Sequence, residues 1–453
     1  MTLVFRHGAP LGSIVLTIFG AVAFLTPALI NGFPFIFPDS VDYVLLTPRL
    51  YRSPFYQLFF YLTGMKYSIW MPVISQALIA GWVLGVFLTV EARLSLIGSF
   101  AAVTLLCLSS SLPVFASFVM PDVFTGVMFV ALYLLIIRWA DLLRWQRAAM
   151  GLAVLVAITV HLSHLTMALI TVAASFLLLY IRGEHRAAIA GLTTALMACV
   201  ASASAFLFYN LTVFGIFSVS PAGSTFFLAN LLATGPAREE LGQICPNEEF
   251  RLCGYRNSLP RDANAILWEN GVVNELGGFA AMRDESNRLV GDTLRHRPGQ
   301  VIAFATRQTI HAVAAINSAD DIVPHKPSVG GVIAEVYGES TRRQFAQSLQ
   351  MHDAFPRGTF NLLVLIGLTL AVPTVAFGLI PLGWRSSTFP VFALGAFLCN
   401  AAVCATLSGV HDRYQSRLSW LLPLAALTIL SEWSRYRIKR LAGRSTYDVT
   451  SHR

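Results

Sequence analysis

Two carboxylates stand just beyond the first long apolar segment, in the stretch Phe37-Pro38-Asp39-Ser40-Val41-Asp42-Tyr43. Because Asp39 and Asp42 are three residues apart, a helical turn that begins at Pro38 places both on one face. Asp39 can serve as a helix cap that accepts backbone N–H groups, or as a base that accepts a proton from a hydroxyl. The two roles are compatible, since a capped, ionised aspartate remains an acceptor.

A second Pro-Asp pair, Pro121-Asp122, stands at the start of a later apolar segment. Asp122 either converges with Asp39 to place a substrate or hold a divalent cation, or it stabilises a helix N-terminus by its charge. His161 and His164 are spaced to face the same way on a helix. Two histidines fall short of the three firm ligands of a zinc site, so hydrogen bonding to phosphate or sugar is favoured.

The most distinctive polar cluster is the segment His411-Asp412-Arg413-Tyr414-Gln415-Ser416-Arg417. Arg413 and Arg417 are four residues apart, so their guanidinium groups can grip one phosphate from one side. The alternative is that both side chains extend to lipid headgroups, as arginines at span ends do. Tyr414 adds a ring or a hydroxyl, and His411 a further polar contact, for a substrate.

The elements that carry these residues lie in a membrane. Of the 453 residues 55% are apolar and 12% charged, whereas soluble domains have nearer a quarter of charged residues. The net charge of +8 does not indicate nucleic acid, because the basic excess lies in short links at 138–147, 182–186 and 435–444. This pattern fixes orientation: the basic links face the cytoplasm.

Ten apolar runs are long enough to cross a bilayer of about 30 Å. They cover 11–32, 68–90, 95–118, 121–137, 149–163, 164–182, 187–213, 359–381, 387–408 and 418–434. The first, preceded by Arg6 and His7, is predicted to be a retained span rather than a signal peptide. The runs 149–163 and 164–182 have no polar loop between them and form either one helix or two. Ten spans keep both termini in the cytoplasm, whereas nine would place the basic tail outside.

With this orientation nearly all of the candidate site residues fall on the outer face, together with the loops 33–67 and 214–358. The segment 47–62, with Arg49 and Arg52 at its start, is predicted to be an interfacial helix, the alternative being a plain lipid-facing connector. The loop 214–358 is long enough to fold, with helices expected at 224–234, 285–297 and 301–316. Cys245 and Cys253 in this loop are predicted to form a disulfide, with a metal pair as the weaker alternative.

The predicted fold is an all-α polytopic membrane protein with about ten transmembrane helices. Its parts are a membrane module at 1–213, a periplasmic loop domain at 214–358, a three-span module at 359–434 and a basic cytoplasmic tail at 435–453. The cysteines within the spans, Cys107, Cys199, Cys399 and Cys404, are expected to be buried and inert.

Taken in order, these motifs resemble the membrane glycosyltransferases of the GT-C class, which include protein O-mannosyltransferases and bacterial aminoarabinose transferases. The resemblance rests on Pro38-Asp39-Ser40 with Tyr43, on Arg52-Ser53-Pro54-Phe55-Tyr56, on Pro121-Asp122, and on Arg413-Tyr414 followed by Leu421-Leu422-Pro423-Leu424. It covers about two-thirds of the chain and leaves the loop 214–358 unplaced. The second acid that commonly follows the first is Ser40 here, so Asp42 and Asp122 are the remaining acids.

The resemblance implies inverting transfer of a sugar from a polyprenyl-phosphate donor to a lipid or glycan acceptor on the periplasmic side of a bacterial inner membrane. It gives Asp39 the part of general base. Arg413 and Arg417, with Arg49 or Arg52, are expected to bind the donor phosphate; Tyr43, His161, His164, His411 and Tyr414 are expected to contact substrate. No cofactor is required and a divalent cation is not favoured. The alternatives are a polymerase, ligase or acyltransferase acting on lipid-linked glycans, or a lipid-carrier flippase.

Overall fold

The computed structural model describes residues 10–245, 250–268, 270–382 and 388–450, without the side chains of 10, 381, 382 and 437–450. Arg6, His7 and the last three residues of the predicted tail lie outside the described residues, as do 246–249 between the two cysteines. Throughout the described ranges the chain is all-helical, without a β-strand and with one isolated bridge between Phe35 and Phe118. The helical fold class predicted from sequence is therefore confirmed.

The first half of the chain contains eleven described α-helices. They are α1 Pro10–Phe24, α2 Thr26–Asn31, α3 Ser40–Val44, α4 Pro54–Leu62, α5 Trp70–Val90, α6 Leu96–Ser109, α7 Leu112–Ala116, α8 Val123–Ile137, α9 Arg144–Thr159, α10 Leu162–Arg182 and α11 His185–Phe214.

Twelve more helices lie in the described part of the second half. They are α12 Gly223–Thr234, α13 Pro236–Ile244, α14 Ala263–Leu267, α15 Val272–Glu275, α16 Gly278–His296, α17 Pro298–Ala314, α18 Pro327–Tyr337, α19 Glu339–Ala346, α20 Arg357–Leu382, α21 Thr388–Leu407, α22 Asp412–Ser419 and α23 Leu421–Thr450.

Five of the described helices are long and apolar enough to cross a membrane, namely α5, α10, α11, the part of α20 up to Ile380, and α21. Shorter apolar helices include α6, α8 and most of α1. Large apolar side chains such as Phe176, Phe208 and Phe377 are exposed on the long helices, a surface that fits lipid better than water. The chain is thus a helical membrane protein, and the number of ten spans stays a prediction.

Proline divides two of the predicted spans into shorter helices. The run 11–32 forms α1 and α2, with Pro27 in the first turn of α2, and the run 95–118 forms α6 and α7, with Pro113 in the first turn of α7. Proline has no N–H to continue the hydrogen bonds of a preceding helix, so each helix restarts there. The runs 149–163 and 164–182 are two helices, because His161 between them has an extended backbone with φ −145° and ψ 128°.

Helix α8 lies at the centre of the bundle. Every residue from Val123 to Ile136 is buried, and the helix contacts α5, α9, α10, α11, α21 and α22. A helix that is apolar all round is expected in such a place, since it has no polar face to turn outward. Asp122 immediately precedes α8 and therefore lies in the interior of the protein.

The connector after the first acids contains a short helix, α4. Ser53 precedes it and accepts a hydrogen bond from the Phe55 N–H at 3.2 Å, which caps its first turn. Tyr56 and Phe60 are fully buried on one side of α4, while Leu62 on the other side is 72% exposed. The helix covers only 54–62 of the predicted 47–62, and the division between its two sides agrees with the predicted amphipathic pattern.

The loop 214–358 packs in two parts. Buried side chains from Ala222 to Phe304 form a separate hydrophobic core built on α12 to α17, which also receives Leu50 and Tyr51 from the connector between α3 and α4. Residues from Ala319 to Phe355, including α18 and α19, pack instead into the core of the membrane helices. Cys245 and Cys253 form the predicted disulfide, which closes a short loop at the edge of the separate core.

Candidate active site

Two polar side chains hold the backbone that leads to Asp39. The Ile36 N–H donates to Gln350 Oε1 at 3.1 Å, and Gln350 Nε2 donates to the Ile36 carbonyl oxygen at 2.8 Å. His325 Nε2 lies 2.7 Å from the same carbonyl oxygen, which can only accept, so this nitrogen carries the proton. Burial lowers the pKa of His325, which keeps the imidazole neutral near pH 7.

The carboxylate of Asp39 does not cap α3. Asp39 has helical backbone angles, φ −65° and ψ −24°, and makes no capping hydrogen bond. Ser40 provides the local contact instead, because its Oγ accepts from the Phe37 N–H at 3.0 Å. Asp122, at the start of α8, also makes no capping bond. Both carboxylates are therefore directed at other side chains.

Two arginines from distant parts of the chain bind Asp39. Arg52 forms an ion pair with Oδ1, and Arg413 Nη2 lies 3.7 Å from Oδ2. The side chains of Asp39, Arg52 and Arg413 are 18%, 17% and 13% exposed. The three groups thus form a mostly buried cluster in which a small part of each side chain is exposed.

Asp42 joins the same cluster from α3. Arg49 Nε lies 3.0 Å from Asp42 Oδ1, and Arg52 Nε lies 3.5 Å from Asp42 Oδ2. Arg52 therefore contacts both acids of the Asp39-Asp42 pair, as expected if they share a face. With Arg413 the cluster contains two carboxylates and three guanidinium groups, and Asp321 adds a further carboxylate near Arg413.

The guanidinium group of Arg413 has unusual surroundings. It lies over the ring of Phe37 at 3.9 Å and near the ring of Tyr414 at 5.5 Å. Its Nη1 is buried and has no hydrogen-bond partner among the described residues. A buried N–H without an acceptor costs free energy, so this nitrogen is a natural place for an oxygen of a ligand.

Arg417 lies deeper than Arg413 and binds a different carboxylate. Its Nη1 is 3.0 Å from Asp122 Oδ1, and the two side chains are 0% and 2% exposed. Nη2 lies 3.3 Å from Asn400 Oδ1 and 3.3 Å from Cys404 Sγ, both on α21. The expectation that Arg413 and Arg417 grip one phosphate together does not fit this arrangement, because Arg417 is enclosed by protein groups. Asp122 is likewise paired inside the protein rather than open to a substrate.

The two histidines lie beside this buried pair. His161 accepts a hydrogen bond from the Ser163 N–H at 3.3 Å at the start of α10, and its ring stacks on that of His164 at 4.9 Å. His164 is fully buried, with Nδ1 2.6 Å from the Ala157 carbonyl oxygen and Nε2 2.8 Å from Thr125 Oγ1. Both nitrogens of His164 are thus occupied, and this residue joins α8, α9 and α10 rather than reaching a substrate.

Three further predicted site residues surround the Asp39 cluster. Tyr43 is buried edge-to-face against Tyr56 at 4.7 Å, and burial raises its pKa, so its hydroxyl stays protonated. His411 packs edge-to-face on Tyr414 at 5.1 Å. Burial, followed by the nearby Arg413 guanidinium, lowers the pKa of His411 and keeps it neutral near pH 7.

The segment 315–326 of the loop 214–358 contacts the site, and none of its residues is among the predicted site residues. Asn317 Nδ2 donates to Asp412 Oδ2 at 3.0 Å, which ties this segment to the start of α22. Burial raises the pKa of Asp321, while the Arg413 guanidinium acts in the opposite direction. The adjacent acids Asp320 and Asp321, between a helix and a proline, were the available sequence signal for this part of the site.

The described residues contain no group of three or more His, Cys, Asp or Glu side chains placed to hold a metal ion. The predicted residues separate into two sets: Asp39, Asp42, Arg49, Arg52 and Arg413 form the partly open cluster, and Asp122, Arg417, His161 and His164 lie in or beside the buried one.

Comparison with known proteins adds no relative. No protein-family model, curated protein or solved structure matches the chain.

Proposed function

We propose that the protein is an inverting glycosyltransferase that moves a sugar from a polyprenyl-phosphate donor to an acceptor of the cell envelope. The observation that carries the proposal is the Asp39 carboxylate, which caps no helix and is bound by Arg52 and Arg413 in a partly open cluster. A carboxylate base beside guanidinium groups that can bind a phosphate fits transfer from a phosphate-linked sugar. The reaction takes place on the outer face of a bacterial inner membrane.

In the proposed step Asp39 accepts the proton of an acceptor hydroxyl while that oxygen attacks the anomeric carbon of the donor sugar. The new bond joins the acceptor oxygen to this carbon, and the bond from the carbon to the phosphate oxygen breaks. The electron pair leaves with polyprenyl phosphate. Attack from the face opposite the phosphate inverts the configuration at the anomeric carbon.

Arg413 is the proposed ligand of the donor phosphate. Its unpartnered Nη1 supplies a hydrogen-bond donor, and the rings of Phe37 and Tyr414 hold the guanidinium plane. Arg52 lies between the two acids and shares in neutralising the phosphate as negative charge collects on it. Arg49, 43% exposed, is at the rim, where it first meets the donor.

The contacts with Arg52 and Arg413 also determine when Asp39 can act as the base. The Arg52 and Arg413 guanidinium groups contact the two oxygens of the Asp39 carboxylate and so occupy the positions that an acceptor hydroxyl needs. A donor phosphate competes for the same guanidinium groups and draws them away from Asp39. The donor thereby frees the base that its own reaction needs.

In this proposal Asp122 and Arg417 do not contact the substrate; they position Arg413. Their buried ion pair joins the start of α8 to α22, and Asn400 and Cys404 extend the contact to α21. Arg413 lies one helical turn before Arg417 on α22, so the pair sets where the phosphate ligand stands. His164 fixes the neighbouring helices and has the same supporting part.

Asp39→Asn tests the base. In proteoliposomes supplied with candidate polyprenyl-phosphate sugars, this variant is expected to lose about 100- to 10,000-fold of the transfer rate, since the amide cannot accept the proton. Asp353→Asn is the matched control, because Asp353 is 56% exposed and pairs with Arg357 alone among the described residues. Asp42→Asn is expected to fall between the two. Transfer by Asp39→Asn at the wild-type rate would remove Asp39 as the base.

Arg413→Ala tests the phosphate ligand. The variant is expected to need a higher donor concentration for half-maximal rate, and Arg413→Lys, which keeps the charge but not the planar group, is expected to recover it only in part. The released lipid identifies the reaction class: polyprenyl phosphate supports transfer of a single sugar, whereas polyprenyl pyrophosphate would indicate a polymerase or ligase. An unchanged donor dependence in Arg413→Ala would overturn this role for Arg413.

A further inference from the structure

A cavity of about 170 Å³ lies apart from the Asp39 cluster, between the start of α5 and the helices α18 and α19. Residues 66–70 form one wall, and Val336, Tyr337, Thr341 and Gln344 form the other. Its volume is below the roughly 300 Å³ at which sites for drug-sized molecules begin, so it suits one small headgroup or sugar ring.

The chemistry of the cavity wall is polar and includes one cation. Lys66 is exposed, contacts the ring of Tyr67 at 4.8 Å and forms no ion pair within the described part of the chain. Ser68, Thr341 and Gln344 add hydroxyl and amide groups, and Trp70 adds an aromatic face. An ammonium group beside hydroxyls, an amide and aromatic rings matches a phosphate that carries hydroxyl groups.

Anchoring of the side chains in bulk lipid does not explain the buried position of the Tyr337 hydroxyl. Its hydroxyl is buried and has no hydrogen-bond partner among the described residues, although the side chain lines the cavity. Burial raises the pKa of Tyr337 to about 12, so the hydroxyl is a donor at neutral pH. Lysine, tyrosine and tryptophan at a span end can anchor in bulk lipid, whereas a buried, unpartnered hydroxyl beside a cavity is a donor that an oxygen of a ligand in the cavity can satisfy.

The cavity and the Asp39 cluster lie at the same end of the membrane helices. Gln76, near the start of α5, donates to the carbonyl oxygens of Ala116 and Phe118, and Phe118 bridges to Phe35 just before Asp39. Helix α18 also packs on α3. A ligand in the cavity therefore reaches the protein from the same side as the substrates.

We propose that this cavity is a binding site for a phosphate ester bearing free hydroxyl groups, with Lys66 and Tyr337 as its main ligands. The ester has two sources of the same chemistry, the headgroup of a membrane phospholipid and a soluble phosphorylated polyol. The proposal rests on the cavity and not on the proposed transfer reaction.

Binding to the purified full-length protein in detergent tests the site, with dihexanoyl phosphatidylglycerol and glycerol 1-phosphate as the two probes and calorimetry as the measurement. Lys66→Ala and Tyr337→Phe are each expected to weaken binding at least ten-fold. Removing the unpartnered Tyr337 hydroxyl breaks no hydrogen bond to the described protein, so Tyr337→Phe is expected to fold normally. Arg343→Ala removes an exposed cation from α19 away from the cavity and is expected to bind as the wild type does.

The variants also separate this site from the proposed phosphate ligand of the reaction. Binding that persists in Arg413→Ala and Asp39→Asn but falls in Lys66→Ala supports the cavity whether or not these two variants transfer sugar. Preference for the lipid probe assigns the site to a membrane headgroup, and equal binding of both probes assigns it to the ester itself. Binding of neither probe, or equal losses in Lys66→Ala and Arg343→Ala, would overturn the proposal.

Discussion

The buried ion pair between Asp122 and Arg417 is expected to contribute strongly to the stability of the folded protein. Both side chains are almost wholly removed from solvent, so each charge depends on the other for compensation. Asp122→Asn leaves an uncompensated guanidinium group in the interior and is expected to destabilise the protein by about 3–5 kcal/mol. Thermal unfolding in detergent measures this loss as a lowered midpoint temperature.

A double variant separates the charge from the packing at this pair. Asp122→Asn combined with Arg417→Gln removes both charges and is expected to recover part of the loss, because no unpaired charge stays buried. The exposed pair Asp353–Arg357 is the control, since Asp353→Asn is expected to change stability by less than about 1 kcal/mol. Equal midpoints for Asp122→Asn and Asp353→Asn would contradict the structural role of the buried pair.

His411 gives the site a pH dependence whose sign follows from its surroundings. Its pKa in the folded protein is lowered, first by burial and then by Arg413, from an ordinary value of 6.5. The folded protein therefore binds the proton less readily than the unfolded chain, so His411 lowers stability as the pH falls below that ordinary value. His411→Gln is expected to weaken the drop in melting temperature between pH 7 and pH 5. His352→Gln, at an exposed position, is the control, and an identical drop in all three proteins would contradict the assignment.

At the residue scale, the sequence predicted which residues form the site better than it predicted which of them pair with each other. The spacing of Arg413 and Arg417 indicates a common side, and both guanidinium groups do lie near the Tyr414 ring, at 5.5 and 5.3 Å. Spacing within one helix cannot tell which carboxylate from another element each arginine meets, since that depends on how α3 and α8 pack against α22. Asn400 and Gln350 were missed for a related reason: a single amide carries no sequence signal until its partners are in place.

At the scale of the helices, two contacts depend on the absence of a side chain. Gly191 of α11 lies against the Leu135 carbonyl of α8, and Gly367 of α20 lies against the Ser109 carbonyl of α6; an added Cβ would overlap both backbones. Lipid offers no hydrophobic drive for helix association, so such close approaches matter more in a membrane. Gly191→Ala and Gly367→Ala are each expected to destabilise the protein by about 1–3 kcal/mol through overpacking.

Gly395→Ala is the matched control for these helix contacts. Gly395 is also within a long apolar helix, α21, but nothing lies within 4 Å of an added Cβ. The substitution is expected to leave stability unchanged or to raise it by up to about 1 kcal/mol, the helix-propensity gain of alanine over glycine. Unfolding midpoints of the three variants, measured in the same detergent, check the difference. A loss in Gly395→Ala as large as in Gly191→Ala would point to a general effect of the substitution.

Helix positions were predictable where the sequence of the segment alone determines its structure. Long apolar runs gave α5, α10, α11, α20 and α21 within a few residues, because burying or lipid-solvating a backbone demands helical hydrogen bonds. The breaks at Pro27 and Pro113 were in the sequence but were read through as continuous spans. The division of the loop 214–358 was not visible, because α18 and α19 join the membrane core through partners that are distant in sequence: α18 packs on α3, and Phe345 of α19 packs on Phe33.

At the scale of the whole molecule, the Asp39 cluster and the first basic link lie at opposite ends of α5. Its 21 residues correspond to about 30 Å of helix, the thickness of a membrane interior. Its start lies at the end with the Asp39 cluster, and its far end leads to Glu91, which pairs with Arg138 of the first basic link. The site and the basic link therefore lie on opposite sides of the bundle, as the positive-inside rule requires if the site faces outward.

Cysteine labelling tests this orientation directly. Ser258 in the loop 214–358 and Glu184 between α10 and α11 are both exposed, so a cysteine at either place can react without unfolding the protein. A membrane-impermeant maleimide is expected to label Ser258→Cys in intact spheroplasts and Glu184→Cys only after the membrane is disrupted. The native protein supplies the background, since its free cysteines within the described residues are buried or half-buried. Labelling of Glu184→Cys alone in intact spheroplasts would invert the topology and move the Asp39 cluster to the cytoplasm, where its substrates would have to be of a different kind.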